Sequence, residues 1–209
     1  MEAPRMALAP VLLIDDGMSA SVAANSSQET YFHVQRYGTL DQERNRRWFT
    51  LEEAFYLVSI DRVEVQNMTR HEAWTLFSRS DEIYGMRYVA YAHYRDNGWI
   101  VQSGHLYGVT FTLYRMSPNV VHSEYMVYLH QTNSSWHVMQ MLTRLAEDVK
   151  KTVLLVQVIS SDHESDQMID VCGTYFSLKE VRMRHWPALF TGGTKSYDMK
   201  DSTAIPKRI

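Results

Sequence analysis

The sequence predicts an α/β protein of the α+β class, in which a small N-terminal α/β domain precedes a larger domain with a mixed β-sheet and flanking helices. Three observations support this prediction. Of the 209 residues, 45% are hydrophobic and 22% are charged, as in ordinary globular proteins. Segments with helical spacing and capping signals alternate with short strand-like runs, and a strand, a helix and a strand follow one another between residues 124 and 159. We place the N-terminal domain at residues 1–78, the second domain at 79–190 and a basic tail, flexible or bound by a partner, at 191–209.

The composition excludes several classes of protein. The only cysteine, Cys172, cannot form an internal disulfide or a thiolate zinc cluster, which indicates a reducing, intracellular environment. A net charge of −3 has the wrong sign for a free-standing nonspecific nucleic-acid binder, so any nucleic acid must be held locally. No apolar run approaches the roughly 18 residues of a membrane span. The apolar start is broken by Pro10 and runs into Asp15 and Asp16, so we interpret Val11–Ile14 as a buried strand rather than part of a signal peptide.

The N-terminal domain shows two helix-capping patterns. Thr50 is followed three residues later by Glu53, and Thr69 by Glu72. The first of these precedes a helix whose apolar residues share one face: Leu51, Ala54, Phe55 and Val58. Between the two capping patterns, "RVEVQ" alternates as a strand does. This succession favours a small α/β unit over a helical bundle.

The second domain begins with "IYGMRYVAYAHYRDNGW", a predicted helix that ends at Asn97–Gly98, where glycine suits a left-handed C-terminal cap. "VTFTLYRM" and "EYMVYLH" then read as strands separated by a turn at Pro118–Asn119, which predicts an antiparallel pair. "NSSWHVMQMLTRLAEDVKK" has these apolar residues at helical spacing: Val138, Met141, Leu142, Leu145 and Val149. The apolar run "TVLLVQVI" follows it as a strand, and "TYFSLKEVRMRHW" supplies another.

Most standard catalytic motifs do not occur. The chain has no HExxH, CxxC, GxSxG or GxGxxG, and "GGTKS" lacks the Gly-Lys order and the following helix of a P-loop. His130 and His137 are seven residues apart with no compact set of further ligands around them, so we expect no metal site and no cofactor. The remaining candidates are Tyr114, His122 and Lys151. By residue type alone, a strand tyrosine is commonly a packing residue, a loop histidine solvated and a lysine after a helix a surface charge.

The surrounding residues change this assessment. The segment "YVAYAHYRDNGWIVQSGHLYGVTFTLYRMSPNVVHSEYMVYL" closely resembles the catalytic-domain signature of the tRNA-splicing endonuclease family. The matching positions are Arg95, Gly98–Trp99, Ser103–Gly104, Tyr107–Gly108, Phe111, Tyr114, His122–Ser123 and Tyr125, followed by Arg144 and Lys151. The family's usual aspartate is Thr110 here, a departure that touches none of the three candidates. The match covers about half of the chain and implies a restriction-endonuclease-like mixed sheet.

The resemblance also implies roles for individual residues. Tyr114, His122 and Lys151 correspond to the family's catalytic residues, and Tyr107 to a structural tyrosine. Lys151 fits the family lysine better than Lys150 because it opens the strand seven residues after Arg144.

Two further residues correspond to RNA-binding positions of the family. Arg144 and Trp186 match the arginine and the aromatic residue that clamp an unstacked base, although Trp186 could equally complete the packing of the last strand.

The residue types suit RNA cleavage without a metal ion. The reaction needs a base for the ribose 2′-hydroxyl, an acid for the departing 5′-oxygen and a cation against the phosphoryl oxygens. Histidine can donate a proton at neutral pH and lysine is a compact cation. A tyrosine is the awkward member of the set, since it acts as a base only with a cation such as Lys151 nearby. The products would be a 2′,3′-cyclic phosphate and a 5′-hydroxyl.

The resemblance implies a nuclear catalytic subunit that works on intron-containing pre-tRNA with other endonuclease subunits, as a hetero-oligomer in a eukaryote or a homo-oligomer in an archaeon. Tyr107–Gly108 favours the subunit that cuts the 5′ splice site. Two alternatives stay open at this point. One is a non-catalytic scaffold subunit of the same complex, against which the retention of all three candidates argues. The other is a metal-dependent DNA nuclease on a related sheet, for which no convergent carboxylates are evident in the sequence.

Overall fold

The computed structural model describes residues 9–15, 19–79, 81–130, 135–161 and 169–183. It has the α+β architecture that the sequence predicts, with two mixed sheets and five α-helices among these residues. The helices are α1 Glu29–Gln35, α2 Leu51–Ser59, α3 Arg70–Arg79, α4 Tyr84–Asp96 and α5 Trp136–Asp148. The strands are β1 Val11–Asp15, β2 Ser19–Ala23, β3 Thr39–Asp41, β4 Arg46–Phe49, β5 Glu64–Val65, β6 Ile100–Ser103, β7 Phe111–Tyr114, β8 Tyr125–Leu129, β9 Thr152–Ser161, β10 Ile169–Val171 and β11 Thr174–Met183.

The described residues fall into two compact units. One holds those up to Ala92 together with those of Ser161–Phe176, and the other holds those of His93–Ser160 and from Ser177 onward. The domain boundaries that we place by sequence stay a prediction. The predicted tail, residues 191–209, lies outside the described residues. No helix in the described part of the chain has the length and apolar character needed to cross a membrane.

The first unit contains a five-stranded sheet in the order β3-β4-β2-β1-β5, in which only β1 and β5 run parallel. Val11–Ile14 lies in a strand, as predicted, but the prediction that this strand is buried is wrong. Leu12 is fully buried, whereas Val11 and Leu13 are exposed, so the segment has one core face and one open face. The strand predicted for "RVEVQ" shortens to two residues, because only Glu64 and Val65 pair with β1.

Both capping boxes are confirmed. The Glu53 N–H donates to Thr50 Oγ1 at 3.3 Å, and the Thr50 N–H donates to the Glu53 carboxylate at 3.2 Å. Thr69 and Glu72 make the same reciprocal pair of bonds ahead of α3, at 2.7 and 3.2 Å. The predicted apolar face of α2 is buried, but so is every other residue of 51–58.

The second unit contains β6, β7, β8, nearly all of β9 and the C-terminal part of β11, with neighbouring strands in the order β11-β9-β8-β7-β6. The predicted antiparallel pairing of β7 with β8 is confirmed, and α5 connects β8 to the parallel strand β9 as the strand, helix, strand pattern predicts. Gly98 ends α4 with φ of 83°, the left-handed value expected of its cap. The buried face of α5 differs from the predicted one by part of a turn, because Met139, Leu142 and Ala146 are buried while Met141 is 51% exposed.

One core cluster explains why α5 lies on a particular face of this sheet. Its buried residues come from the helix, two strands and the turn before β7: Val109, Met126, Met139, Leu142, Ala146 and Val153. Met126 of β8 pairs with Thr112 of β7 and with Val153 of β9, so these three residues form one row across the sheet. Because side chains alternate along a strand, positions two residues away from this row point to the same face as α5.

Candidate active site

The three candidate catalytic residues lie at one end of three neighbouring strands. Leu113 of β7 is paired with Tyr125 of β8, which is paired in turn with Thr152 of β9. Tyr114 directly follows this row on β7, and Lys151 directly precedes it before β9. Since β7 runs antiparallel to β8 and β8 parallel to β9, the C-terminal end of β7 adjoins the N-terminal ends of the other two strands. The sheet topology therefore brings together at one edge three segments, the first and last of which, at Tyr114 and Lys151, are 37 residues apart in sequence.

Backbone hydrogen bonds fix this edge. The Glu124 N–H donates to the carbonyl of Leu113 at 2.9 Å, and the Thr152 N–H donates to the carbonyl of Glu124 at 3.1 Å. Glu124 thus joins the end of β7 to the start of β9. Tyr114 and Lys151 each stand two residues from the Thr112, Met126, Val153 row, which places both on the face of the sheet that packs against α5.

Lys151 is positioned by the end of α5. The Lys150 N–H donates to Glu147 O at 3.1 Å and the Lys151 N–H to Ala146 O at 2.8 Å, while Lys150 has φ of 53°. This pair of bonds around a left-handed residue is the Schellman motif, which stops the helix and turns the chain into β9. Lys150 occupies the left-handed position and is exposed, and Lys151 enters the sheet edge.

The Lys151 ammonium contacts the histidine segment. Its Nζ donates to the carbonyl oxygen of Ser123, the residue after His122, at 2.9 Å. The same Nζ lies 5.5 Å from the centre of the Tyr107 ring. Partial burial lowers the pKa of Lys151 below its usual value of 10.5, because desolvation disfavours the charged form. The site therefore holds a lysine cation bonded to the residue after His122, and this lysine loses its proton more readily than a solvated lysine.

Tyr107 and Thr110 contribute to the structure around this edge. Tyr107 ends a short 3-10 helix, His105–Tyr107, and packs against the core cluster of α5. Thr110, which stands where the family has aspartate, donates its N–H to Val127 O at 2.9 Å, and its Oγ1 accepts from the Leu129 N–H at 3.2 Å. Thr110 therefore extends the contact between the start of β7 and β8 through a hydroxyl where the family has a carboxylate.

His122 itself is exposed, in the loop between β7 and β8. Two bonds to Ser117 O form a turn in this loop, from the N–H groups of Val120 at 2.9 Å and Val121 at 3.1 Å. Tyr114 is half-buried. A tyrosine, an exposed histidine and a partly buried lysine at one open sheet edge can supply a base, an acid and a cation to one bound group.

The two predicted RNA-binding residues differ in what the structure says of them. Arg144 is exposed on α5, seven residues before Lys151. Trp186 lies outside the described residues, so the predicted pair stays a prediction. Within the described ranges, no group of three or more His, Cys, Asp and Glu side chains is close enough to hold a metal ion.

The sequence analysis did not single out Arg115, Glu124 or the backbone of Ser123. Arg115 follows Tyr114 and forms an ion pair with Glu124, and Ser123 accepts the lysine bond. Opposite charges at the two ends of the loop that carries His122 were the available signal.

Comparisons with known proteins identify the family of this part of the chain. A family model described as the tRNA intron endonuclease, catalytic C-terminal domain, matches residues 85–169, which include Tyr114, His122 and Lys151. Residues 85–169 of the chain belong to this catalytic-domain family. It is 29% identical over 159 residues to tRNA-splicing endonuclease subunit Sen2-1 of Arabidopsis thaliana, an alignment that covers 69% of this chain and 66% of that protein.

Two further plant proteins are similar to this chain. The probable tRNA-splicing endonuclease subunit Sen2 of Oryza sativa is 28% identical over 84% of this chain and 66% of its own length. Subunit Sen2-2 of Arabidopsis thaliana is 30% identical over 70% of this chain and 64% of its own length. The chain thus spans slightly less than two thirds of these relatives.

Proposed function

We propose that this chain is a catalytic subunit of a tRNA-splicing endonuclease and cleaves intron-containing pre-tRNA at an intron boundary, as a tRNA-intron lyase. The observation that carries the proposal is the sheet edge where Tyr114 and Lys151 lie on the same side of the row Leu113, Tyr125, Thr152. At this edge the Lys151 ammonium is bonded to the residue after His122. We propose residues 79–190 as the catalytic domain and residues 1–78 as a separate N-terminal domain.

In the proposed reaction, Tyr114 acts as the base in its phenolate form and accepts the proton of the ribose 2′-hydroxyl. The 2′-oxygen then attacks the adjacent phosphorus, and the bond from phosphorus to the 5′-oxygen breaks. His122 gives its proton to that departing oxygen, while Lys151 stabilises the charge on the phosphoryl oxygens. The products are a 2′,3′-cyclic phosphate and a 5′-hydroxyl, and no metal ion takes part.

Partners and location complete the proposal. A single chain with a net charge of −3 would bind pre-tRNA weakly. This supports an RNA surface shared with other endonuclease subunits in a hetero-oligomer. The proposed clamp of an unstacked base uses Arg144 and Trp186. We propose the nucleus as the compartment and, from Tyr107–Gly108, the 5′ splice site as the bond that this subunit cuts.

The test uses a modified substrate with the chain assembled with its partner subunits. A single 2′-deoxy nucleotide on the 5′ side of the scissile phosphate removes the nucleophile and must block this subunit's cut, whereas the same change one nucleotide away should be tolerated. Binding should change little, because one lost hydroxyl removes at most a few kcal/mol from an interface dominated by phosphate and shape contacts.

The same assay separates the alternatives. A metal-dependent nuclease uses water as its nucleophile, so it would cut the deoxy substrate, leave 5′-phosphate ends and stop in EDTA. A scaffold subunit would leave both cuts unchanged when Tyr114→Phe removes the hydroxyl but keeps the ring. Mapping the blocked bond identifies the splice site.

A further inference from the structure

An ion pair closes the loop that carries His122. Arg115 Nε donates to Glu124 Oε1 at 2.7 Å, and Arg115 Nη2 donates to Glu124 Oε2 at 2.8 Å. The two parallel bonds fix the orientation of both side chains, as a planar guanidinium does with a carboxylate. Arg115 directly follows Tyr114, and Glu124 stands two residues after His122. The ion pair therefore links the first and the last residue of the ten-residue segment 115–124.

Glu124 is also the backbone junction of the site. Its N–H bonds to β7 through Leu113 O, and its carbonyl accepts from Thr152 at the start of β9. Arg115, the residue that follows β7, holds the Glu124 side chain through the ion pair. A displacement of Glu124 would consequently move the His122 segment relative to both Tyr114 and Lys151.

Aromatic rings support the pair from the sheet. The Arg115 guanidinium carbon lies 5.5 Å from the centre of the Trp99 ring, a cation–π distance. Trp99 is 4% exposed and packs edge-on against Tyr125, the residue after Glu124, with ring centres 5.4 Å apart. Arg115 thus rests on a buried aromatic pair, and Glu124 directly precedes one member of that pair in the chain. The guanidinium also holds the pKa of Glu124 below its usual range, which keeps the carboxylate charged.

The loop between them has few other restraints. Met116 is 48% exposed and Val120 is 75% exposed, so the apolar side chains here are not packed. Within the described part of the chain, the structure gives the His122 side chain no hydrogen-bond partner. Beyond the turn at Ser117, the bonds that flank His122 are the Lys151 bond to Ser123 O, the backbone bonds of Glu124 and the ion pair. Segments with so few contacts open easily unless they are tied at their ends.

We propose that the Arg115–Glu124 ion pair, supported by Trp99, positions His122 relative to Tyr114 and Lys151 for the cleavage step. This proposal rests on the proposed function. Arg115 and Glu124 are positioning residues that act through His122, not catalytic residues. Because both side chains are partly exposed, Arg115 at 53% and Glu124 at 38%, the pair adds little to the stability of the fold. A catalytic group displaced by about 1 Å, by contrast, can cost about 100-fold in rate. The ion pair should therefore matter for the rate of cleavage far more than for folding.

The experiment measures single-turnover cleavage of intron-containing pre-tRNA by the assembled complex, with Glu124→Gln, Arg115→Gln and the double variant. Each single variant should lower the maximal rate about 10- to 100-fold, with the half-saturating concentration within about 3-fold of wild type. The double variant should be no slower than the worse single variant, because both changes break the same interaction. Arg115→Lys, which keeps the charge but not the fork, should retain an intermediate rate.

A matched control comes from the other unit. Arg70 forms an exposed ion pair with Asp61 at 3.1 Å, so Asp61→Asn removes a comparable charge and should leave the rate unchanged. Hydrogen exchange of the amides in segment 115–124 gives a readout that does not depend on activity. It should be faster in Glu124→Gln than in wild type or Asp61→Asn, with the melting temperature of all three within a few degrees.

Three results would overturn the proposal while leaving the proposed function intact. The first is full cleavage activity in both single variants. The second is multiplication of the two losses in the double variant. The third is a change only in the half-saturating concentration of RNA, which would rise for Arg115→Gln and fall for Glu124→Gln. Two independent charges would act on RNA binding in that way. A wild-type complex that does not cleave pre-tRNA refutes the proposed function, and this proposal falls with it.

Discussion

Replacing Lys151 by alanine should reduce cleavage by this subunit about 100- to 1000-fold. The ammonium is the cation at the sheet edge, and removing one group that stabilises a developing oxyanion typically costs about 2.7–4 kcal/mol of transition-state stabilisation. The same substitution removes the bond from Nζ to Ser123 O, which has a length of 2.9 Å. The loss of that hydrogen bond should lower the free energy of unfolding by about 1–2 kcal/mol.

The expected loss of cleavage rate and the expected loss of folding stability can be measured separately. A loss of about 1–2 kcal/mol from a total of roughly 5–15 kcal/mol leaves the chain folded, with a melting temperature a few degrees lower. Unfolding therefore cannot account for a 100-fold loss of rate. Single-turnover cleavage and calorimetry on the same assembled complex measure both effects. Lys150→Ala is the matched control, since Lys150 is exposed at the helix end and its replacement should change the rate by less than about 3-fold. Loss of activity in Lys150→Ala with full activity in Lys151→Ala would refute the assignment of the lysine.

The remaining predictions concern the same edge. His122→Ala should slow this subunit's cut about 10²- to 10⁴-fold in a single-turnover assay, with stability within about 0.5 kcal/mol of wild type because the side chain is exposed; unchanged cleavage at both splice sites contradicts this. The rate should fall on the alkaline side at a pH below 10.5, because burial lowers the pKa of Lys151 and the charged form is the active one. Lys151→Arg, if it cleaves at all, should move that fall to higher pH in the measured pH–rate profile, since arginine stays protonated. Lys150→Gly should raise the free energy of unfolding by about 0.5–1 kcal/mol in a denaturant titration, because φ of 53° is strained for lysine and free for glycine; a destabilised variant would contradict the assigned helix end.

Local sequence signals predict the elements whose cause is local. Gly98 ends α4, and Thr50 with Glu53 begins α2, because both signals act within one helical turn. The order of β8, α5 and β9 is equally readable, since the apolar residues of each element have the spacing of its type.

Elements that depend on distant partners are not readable in this way. The strand β4 contains Arg46 and Arg47, and it forms because β2 and β3 supply backbone partners on its two sides. Arg47 is 4% exposed, and its charge is balanced by Glu29 at 2.6 Å, eighteen residues earlier in the chain. A sequence pattern that expects polar residues outside cannot anticipate a buried arginine whose partner lies on another element. The exposed face of β1 escapes prediction for the same reason, since an apolar run does not say which of its faces is covered.

The site shows the same division between local and distant causes. The resemblance to the family selects Tyr114, His122 and Lys151 as candidates, but only the pairing of Leu113 with Tyr125 and of Tyr125 with Thr152 gives a physical reason why their segments lie at one end of the sheet. The choice between the two adjacent lysines has a local cause. A helix that ends in a Schellman motif needs one residue in the left-handed region, and the next residue leaves the helix toward the following strand. Lys150 takes the first position and Lys151 the second, so the geometry of the helix end supports Lys151 as the lysine that faces the substrate. Inserting one residue into the end of α5 would shift this register, and activity should then follow whichever lysine occupies the second position.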